Sequence, residues 1–434
     1  MSEKVLIAGG GIAGIATGLA LARTDASVQI LERAPELTEV GAGIQLGPNV
    51  TRILNAWGLS TAMQKVASYP ANLKARRVST GEVLATSPLA DMSTRYGAPY
   101  LTIHRADLQN VLLHAARVSG VHVQRDSLVQ NVQQDSQQVC VTVSLGEALE
   151  GTNEVLSKRA QEQTTKEYSN AFVIADGVWS TLRQQVLGDG LPRMTRHLAY
   201  RALVAQTDLP SHLRSQDVSV WMGPKVHVVQ YPVRGGEWLN VVCLTEGQMY
   251  GVANQDLQDW NLSKSLIETR ADLQSALRGA CSHLQALVEA CGDWRLWPLY
   301  DRPPMQNAAQ HAQARVALVG DAAHPMRPYL AQGAGMAIED AAELAHQWTT
   351  LANQDVRQRF AAFAQARWQR NARVQARAIR NGEIFHATGP MQWARDVGLR
   401  SVGKRLMDIP WLYGFLSAQE TVISKRVTDQ TTFE

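Results

Sequence analysis

An α/β fold interrupted by an antiparallel sheet, α+β taken overall, is predicted by three observations. The chain opens on an apolar run, "KVLIA", that breaks into glycines and resumes as "IATGLALAR", which reads as strand, tight turn and helix. Segments rich in β-branched residues, "HVVQYPV" and "WLNVVCL", then follow one another with no helical period between them. "RVALVG" at Arg315–Gly320 returns to an apolar strand with a helical pattern behind it.

The first unit is the most explicit. "SVQILE" supplies a second strand after the helix, so the opening is a βαβ unit with parallel strands. "GGGIAG" puts Gly9, Gly11 and Gly14 in G-x-G-x-x-G register between strand and helix, and Gly18 lets that helix lie close to the sheet. Glycines there let backbone approach a pyrophosphate, whose charge the helix N-terminus stabilises. Glu32, with Arg33 beside it, ends the second strand, where a carboxylate accepts hydrogen bonds from an adenosine ribose. Together these features give a Rossmann-like dinucleotide site.

The β-rich segments from Ala75 to Ala90 and from about Leu198 to Val242 predict an inserted antiparallel sheet. The polar stretch between Ser144 and Asn170 reads as a surface hairpin or loop. "GAGMAIEDAAELAHQW" carries Ala334, Ala337, Ile338, Ala341 and Leu344 at helical spacing, and Val356 to Arg380 reads as one or two amphipathic helices.

Composition narrows the partners. With 42 Lys and Arg against 39 Asp and Glu, net +3, no basic field points to nucleic acid. The four cysteines form no C-x-x-C pair, so neither a zinc site nor a disulfide framework is expected, and no metal. No membrane span is expected, "WLYGFL" at Trp411–Leu416 being far too short, and a cytoplasmic location follows. The expected partner is a small molecule bound by a monomer or homodimer.

Two further strand ends carry acids. "VIADGVWSTLR" ends a strand at Asp176-Gly177, with Arg183 seven residues after the aspartate, and "VALVGDAAHP" ends one at Asp321. With the glycine fingerprint, the Asp-Gly segment and "GDAAHP" in this order, the chain resembles the single-component flavoprotein aromatic hydroxylases, the group that includes 4-hydroxybenzoate and salicylate hydroxylases. The resemblance implies FAD as cofactor: Asp321 on the ribityl chain, Asp176 near flavin and nicotinamide, Arg105 of "HRADL" on FAD, and Pro325, Gly333 and Ala334 beside the flavin. It divides the chain into a discontinuous FAD-binding domain (1–74, 101–185, 300–375), a substrate-binding sheet domain (75–100, 186–299) and a C-terminal helical segment (376–434). The implied reaction is reduction of FAD by NADH or NADPH bound transiently, addition of O₂ to give a flavin hydroperoxide, and oxygen transfer to a small hydroxylated aromatic or heteroaromatic carboxylic acid. A flavin dehydrogenase or oxidase without oxygen insertion is the alternative on the same fold.

The residues themselves place the substrate on the inserted sheet. His227 and Tyr231, four apart on a strand, share one face with Cα atoms roughly 13 Å apart, so they can bracket a ring. His227, with a side chain that titrates near neutrality, is the candidate base for a substrate phenol, with Tyr231 as its catalytic partner. "VGAGIQLGPNV" and the His227/Tyr231 pair resemble the branch holding salicylate, 3-hydroxybenzoate and 6-hydroxynicotinate hydroxylases, which adds Gln45, Arg327 and Tyr329 as substrate-binding residues. Gln45 is similar to the 3-hydroxybenzoate type, while Tyr329 stands where the hydroxynicotinate type has histidine. His324 reads as a turn histidine before Pro325, with a catalytic acid as the alternative.

Overall fold

The computed structural model describes residues 2–37, 42–145, 163–247 and 266–416. In chain order it begins with β1 (Lys4–Ala8), α1 (Ile12–Ala22), β2 (Ser27–Leu31), β3 (Gly43–Leu46), α2 (Pro48–Ala56) and α3 (Ser60–Val66). The hairpin β4 (Asn72–Arg77) and β5 (Val83–Pro88) leads to α4 (Leu89–Tyr96), β6 (Leu101–His104), α5 (Arg105–Val118) and β7 (His122–Gln124). Next come β8 (Ser127–Gln134), β9 (Val139–Leu145), β10 (Gln163–Ser169), β11 (Ala171–Ile174) and α6 (Thr181–Leu187). β12 (Arg193–Ala205), β13 (Val218–Gly223), β14 (Val226–Val233), β15 (Trp238–Glu246), α7 (Leu266–Ala276), α8 (Ser282–Ala290) and β16 (Arg295–Asp301) follow. The chain closes with β17 (Ala312–Gln313), β18 (Val316–Leu318), α9 (Gly333–Thr350), α10 (Val356–Phe385), α11 (Gly389–Met407) and α12 (Pro410–Tyr413).

The first sheet runs β17-β18-β11-β1-β2-β7, parallel except at β17. Alternation along its strands explains its two coats. Val5, Ile7, Val173 and Ala317 face a helical layer containing Ile15, Leu19, Leu112 and Ile338. Leu6, Phe172, Ile174 and Leu318 face the other way, onto Val139, Val141, Val143 and Leu182. The second coat is therefore the three-stranded sheet β10-β9-β8 together with α6. The hairpin expected between Ser144 and Asn170 is the antiparallel pair β9 and β10; residues 146–162 lie outside the described residues.

The second sheet runs β16-β12-β15-β14-β13-β4-β5. It is antiparallel as expected except for one parallel pair, β4 with β13. The chain leaves β5 and crosses the first sheet before β13, and so long a crossover leaves the strand free to enter in parallel. Register sorts its side chains into two faces. Tyr200, Val228, Val241 and Leu296 pack on one side against Leu273, Leu284 and Leu287 of α7 and α8. The pairings Arg201↔Val242↔Val229 and Leu203↔Asn240↔Tyr231 put those residues, with His227, on the other side.

The boundary expected between the FAD-binding domain, ending at 375, and a helical segment starting at 376 falls inside α10, which runs unbroken through it for 30 residues. Its start is fixed by a capping box in which Asp355 and Gln358 satisfy each other's backbone groups, and no proline interrupts it. All four cysteines are free thiols, Cys243 and Cys291 buried, Cys140 and Cys281 partly so. Among the described residues no helix is long and apolar enough to cross a membrane.

Candidate active site

The first sheet reverses its strand order between β1 and β11, and there a doubly wound sheet opens a crevice at the carboxyl ends of its strands. The loops after β1, β11 and β18, three neighbouring strands, carry Gly9–Gly14, Asp176 and Asp321. Segments separated by more than a hundred residues thus meet at one edge.

Two glycines are obligatory. Gly9 has φ +107°, and a Cβ on Gly14 would stand 1.9 Å from the Gly9 carbonyl oxygen. A Cβ on Gly11 would meet nothing within 4 Å, so the turn faces open space at the start of α1. The Glu32 carboxylate accepts from the N–H groups of Gly10 and Ala34, which anchors it at the turn. Arg33 is exposed, and its charge acts on Asp176.

Asp176 is pushed up to about 6 by burial, against hydrogen bonding from Ser180, and its Oδ1 finds no partner among the described residues. Asp321 is solvent-accessible, yet the protein around it raises its carboxyl above the usual range, with the Arg105 charge opposing the rise. Asp321 thus lies at a surface that water reaches, at the carboxyl end of its strand. A Cβ on Gly333 would lie 3.9 Å from Asp321 Oδ1, which puts the first turn of α9, including Ala334, beside it. An open glycine turn, an orphaned buried carboxylate oxygen and an accessible acid at a strand end are the features FAD requires, and these residues fit it.

"GDAAHP" has a second role. His324 Nε2 lies 2.5 Å from Asp340 Oδ2, which also accepts from the Gly320 N–H, while Asp340 Oδ1 accepts from Arg367 Nε at 2.9 Å and Asn371 Nδ2 at 3.0 Å. Burial alone would raise Asp340, but His324, His311 and Arg367 hold it well below the usual carboxylate range. His324 is fully buried in this network and is the turn histidine, not a cleft acid. Arg183 Nη1 donates to the Ala322 carbonyl at 2.8 Å and so ties the β11 loop to the β18 loop. Pro325 is fixed through its carbonyl, which accepts from Gln375 on α10.

His227 and Tyr231 share a face, as the strand period requires, but both are closed over. The Tyr231 hydroxyl donates to the Gly43 carbonyl at 2.6 Å, and Asn240 Oδ1 accepts from the Gly43 N–H at 2.8 Å, so the sheet clamps β3. Gln45 on β3 accepts from Tyr100 at 2.6 Å. Burial raises the Tyr231 phenol well above its usual value, opposed by the Arg201 charge and by a hydrogen bond with Gln45. His227 Nδ1 lies 2.8 Å from His386 Nε2 at the end of α10. Tyr329 turns its hydroxyl to His197 and its ring to His227. Arg327 is committed through Nε to buried Asp301 at 2.8 Å.

The residue that sequence reading missed is Arg201. It projects from β12 on the face of His227 and Tyr231, with its guanidinium 4.0 Å from the Trp297 ring centre. Its Nε has no hydrogen-bond partner among the described residues. Burial lowers it to about 10, Arg105 adding to the effect and Tyr231 opposing it. Arg201, Leu203 and Val229 remain partly accessible on this face, as does Gln45 on β3, while His227 and Tyr231 are buried. A charge inside the apolar run "HLAYRALV" was the available signal.

Comparison with known proteins adds the following. The profile of the family described as FAD binding domain matches residues 2–378. A 3-hydroxybenzoate 6-hydroxylase of Polaromonas naphthalenivorans is 34% identical over 415 residues, covering 95% of this chain and 96% of that protein. A 6-hydroxynicotinate 3-monooxygenase of Bordetella bronchiseptica is 33% identical, covering 86% of this chain and 89% of that one. A salicylate hydroxylase solved with its substrate superposes with a TM-score of 0.74 at 20% identity, over 96% and 97% of the two chains, which shows the shared fold.

Proposed function

This chain belongs to the FAD binding domain family of flavoprotein hydroxylases, and from that premise we propose that it hydroxylates a small hydroxylated aromatic or heteroaromatic carboxylic acid at the expense of NADH or NADPH and O₂. FAD is its cofactor, and when bound it supplies the electron transfer and the activation of O₂. The Gly9–Gly14 turn and the α1 N-terminus would hold the pyrophosphate, Glu32 the ribose and Asp321 the ribityl hydroxyls. The free N–H groups at the start of α9 favour negative charge at the flavin end of the cleft.

The observation that carries the substrate class is Arg201. A cation resting on an indole, with an unpartnered Nε on the face that also bears His227, is a receptor for a carboxylate whose ring lies toward the histidine. His227 is held well below its ordinary value by burial, with His386 and His197 adding to the effect, so it is the neutral imidazole that accepts a proton. In this reading it takes the proton of the substrate phenol and raises the electron density of the ring. Gln45, clamped with β3 by Tyr231 and Asn240, positions the substrate edge nearest Tyr100.

The test is a panel of hydroxybenzoates and hydroxypyridine carboxylates, scored by stimulated NAD(P)H consumption and by product mass under ¹⁸O₂. Label in the product of at least one acid supports hydroxylation. Stimulated turnover with no label makes the protein a dehydrogenase or oxidase instead.

A further inference from the structure

His227 does not stand alone. His386 Nε2 lies 2.8 Å from His227 Nδ1, and His386 Nδ1 lies 3.3 Å from Oε1 of Glu246, whose side chain is 40% exposed. His386 is held on both sides: its N–H donates to Gly382 at the end of α10, and its carbonyl accepts from the Lys225 N–H in the β13–β14 turn. The carboxylate only accepts, so His386 carries its proton on Nδ1 and offers a lone pair at Nε2. His227 then carries its proton on Nδ1, and its Nε2 is left as a free base.

We propose that His227, His386 and Glu246 form a proton relay that carries the substrate's phenolic proton from the buried sheet face to solvent. It rests on the reading of His227 as the base. The phenol O–H bond breaks as a bond forms to His227 Nε2; the Nδ1 proton of His227 passes to His386 Nε2; the Nδ1 proton of His386 passes to Glu246, which releases it to water. Each imidazole ends neutral in its other tautomer, one proton has left, and nothing is oxidised or reduced.

The surroundings favour neutral carriers. His197 of β12 stacks on His386 at 5.2 Å and pairs with the Tyr329 hydroxyl, while Arg327 and Arg395 bring positive charge from the loop and from α11. Asp301 of β16 acts on His197, and Glu246 is the acid hydrogen-bonded to His386. Burial lowers His386 to about 4, the two arginines adding to the effect, so neither relay imidazole holds an extra proton at neutral pH.

The experiment is a stopped-flow pH jump on the FAD-loaded enzyme with 3-hydroxybenzoate bound and no reductant, following phenolate absorbance. Glu246→Gln keeps a hydrogen-bond acceptor but cannot take the proton, and its surface position spares the fold. The expected result is phenolate formation slowed by about tenfold or more in Glu246→Gln and His386→Gln, with an unchanged end point, and restored by added imidazole buffer. An unchanged rate, or a slow rate that buffer does not restore, overturns the relay. His227→Gln separates the two readings. If it abolishes phenolate formation while the other variants react at the normal rate, the relay alone fails. If it reacts normally, the base assignment fails and the relay with it.

Discussion

The Arg201 guanidinium lies 4.0 Å from the centre of the Trp297 indole, on the sheet face that carries His227. Among the described residues its guanidinium rests on an aromatic ring and pairs with no carboxylate, which leaves its charge for a ligand. Arg201→Met is therefore expected to raise KM for the acid by about 10- to 100-fold, the worth of a charge-assisted bond of ~1.5–3 kcal/mol, with FAD content unchanged. Steady-state kinetics beside the flavin absorbance ratio reads both. Equal KM in variant and parent would remove Arg201 from the substrate site.

Asp321→Ala should weaken FAD retention by ~1.5–3 kcal/mol, because the ribityl hydroxyls lose a charged acceptor. Recovery of flavin fluorescence on dilution measures the loss. Unaltered retention would place the ribityl chain elsewhere.

Asp340→Leu leaves Arg367 and His324 buried without their common partner. Removing one member of a buried ion pair costs ~3–5 kcal/mol, so a large fall in the urea midpoint is expected, together with poor flavin loading because the Gly320 N–H also loses its acceptor. A midpoint within error of the parent would show that the network is dispensable.

His197, His311 and His386 are all lowered from 6.5 to about 4, burial being the first cause for each. Their unfolded forms take up protons before the folded forms do. The stability they contribute is complete above about pH 6.5 and drains away as pH falls toward about 4. Urea titrations across this window should show a steep acid decline, shallower in His386→Gln. A flat profile would contradict their burial as neutral groups.

Tyr231→Phe removes the hydrogen bond to the Gly43 carbonyl and loosens β3. A stability loss of ~0.5–1.5 kcal/mol is expected, with a rise in KM as Gln45 shifts, while FAD stays bound. Thermal melts and kinetics check the two halves separately.

The residues proposed to hold the cofactor could be named from sequence because their signals are local. Gly9–Gly14, Asp176 and Asp321 each sit at the end of an apolar strand, and a strand end announces itself within ten residues. Their meeting follows from strand order, which no short segment encodes. On the proposed substrate side, only the shared face of His227 and Tyr231 could be read from sequence, where period two applies. His386 is 159 residues from His227, and Arg201 gains its meaning from Trp297 on a strand that pairs with its own from ninety-odd residues later. Such couplings exist only after the sheet closes. The expected boundary at 375 falls inside α10, because nothing in the Ala/Arg/Gln-rich stretch from Val356 to Arg380 gives the helix a local cause to stop.

The continuous helix α10 has a mechanical consequence. Thirty residues at 1.5 Å each make a rod of ~45 Å. Near its beginning Arg359 is bonded to Glu3, next to β1; Arg367 grips Asp340 beneath the β18 loop; and His386 follows its far end at the other sheet. A tilt imposed at either end is felt at the other, so the glycine-turn edge of the first sheet and the His227 face of the second are held to a common alignment by one stiff strut.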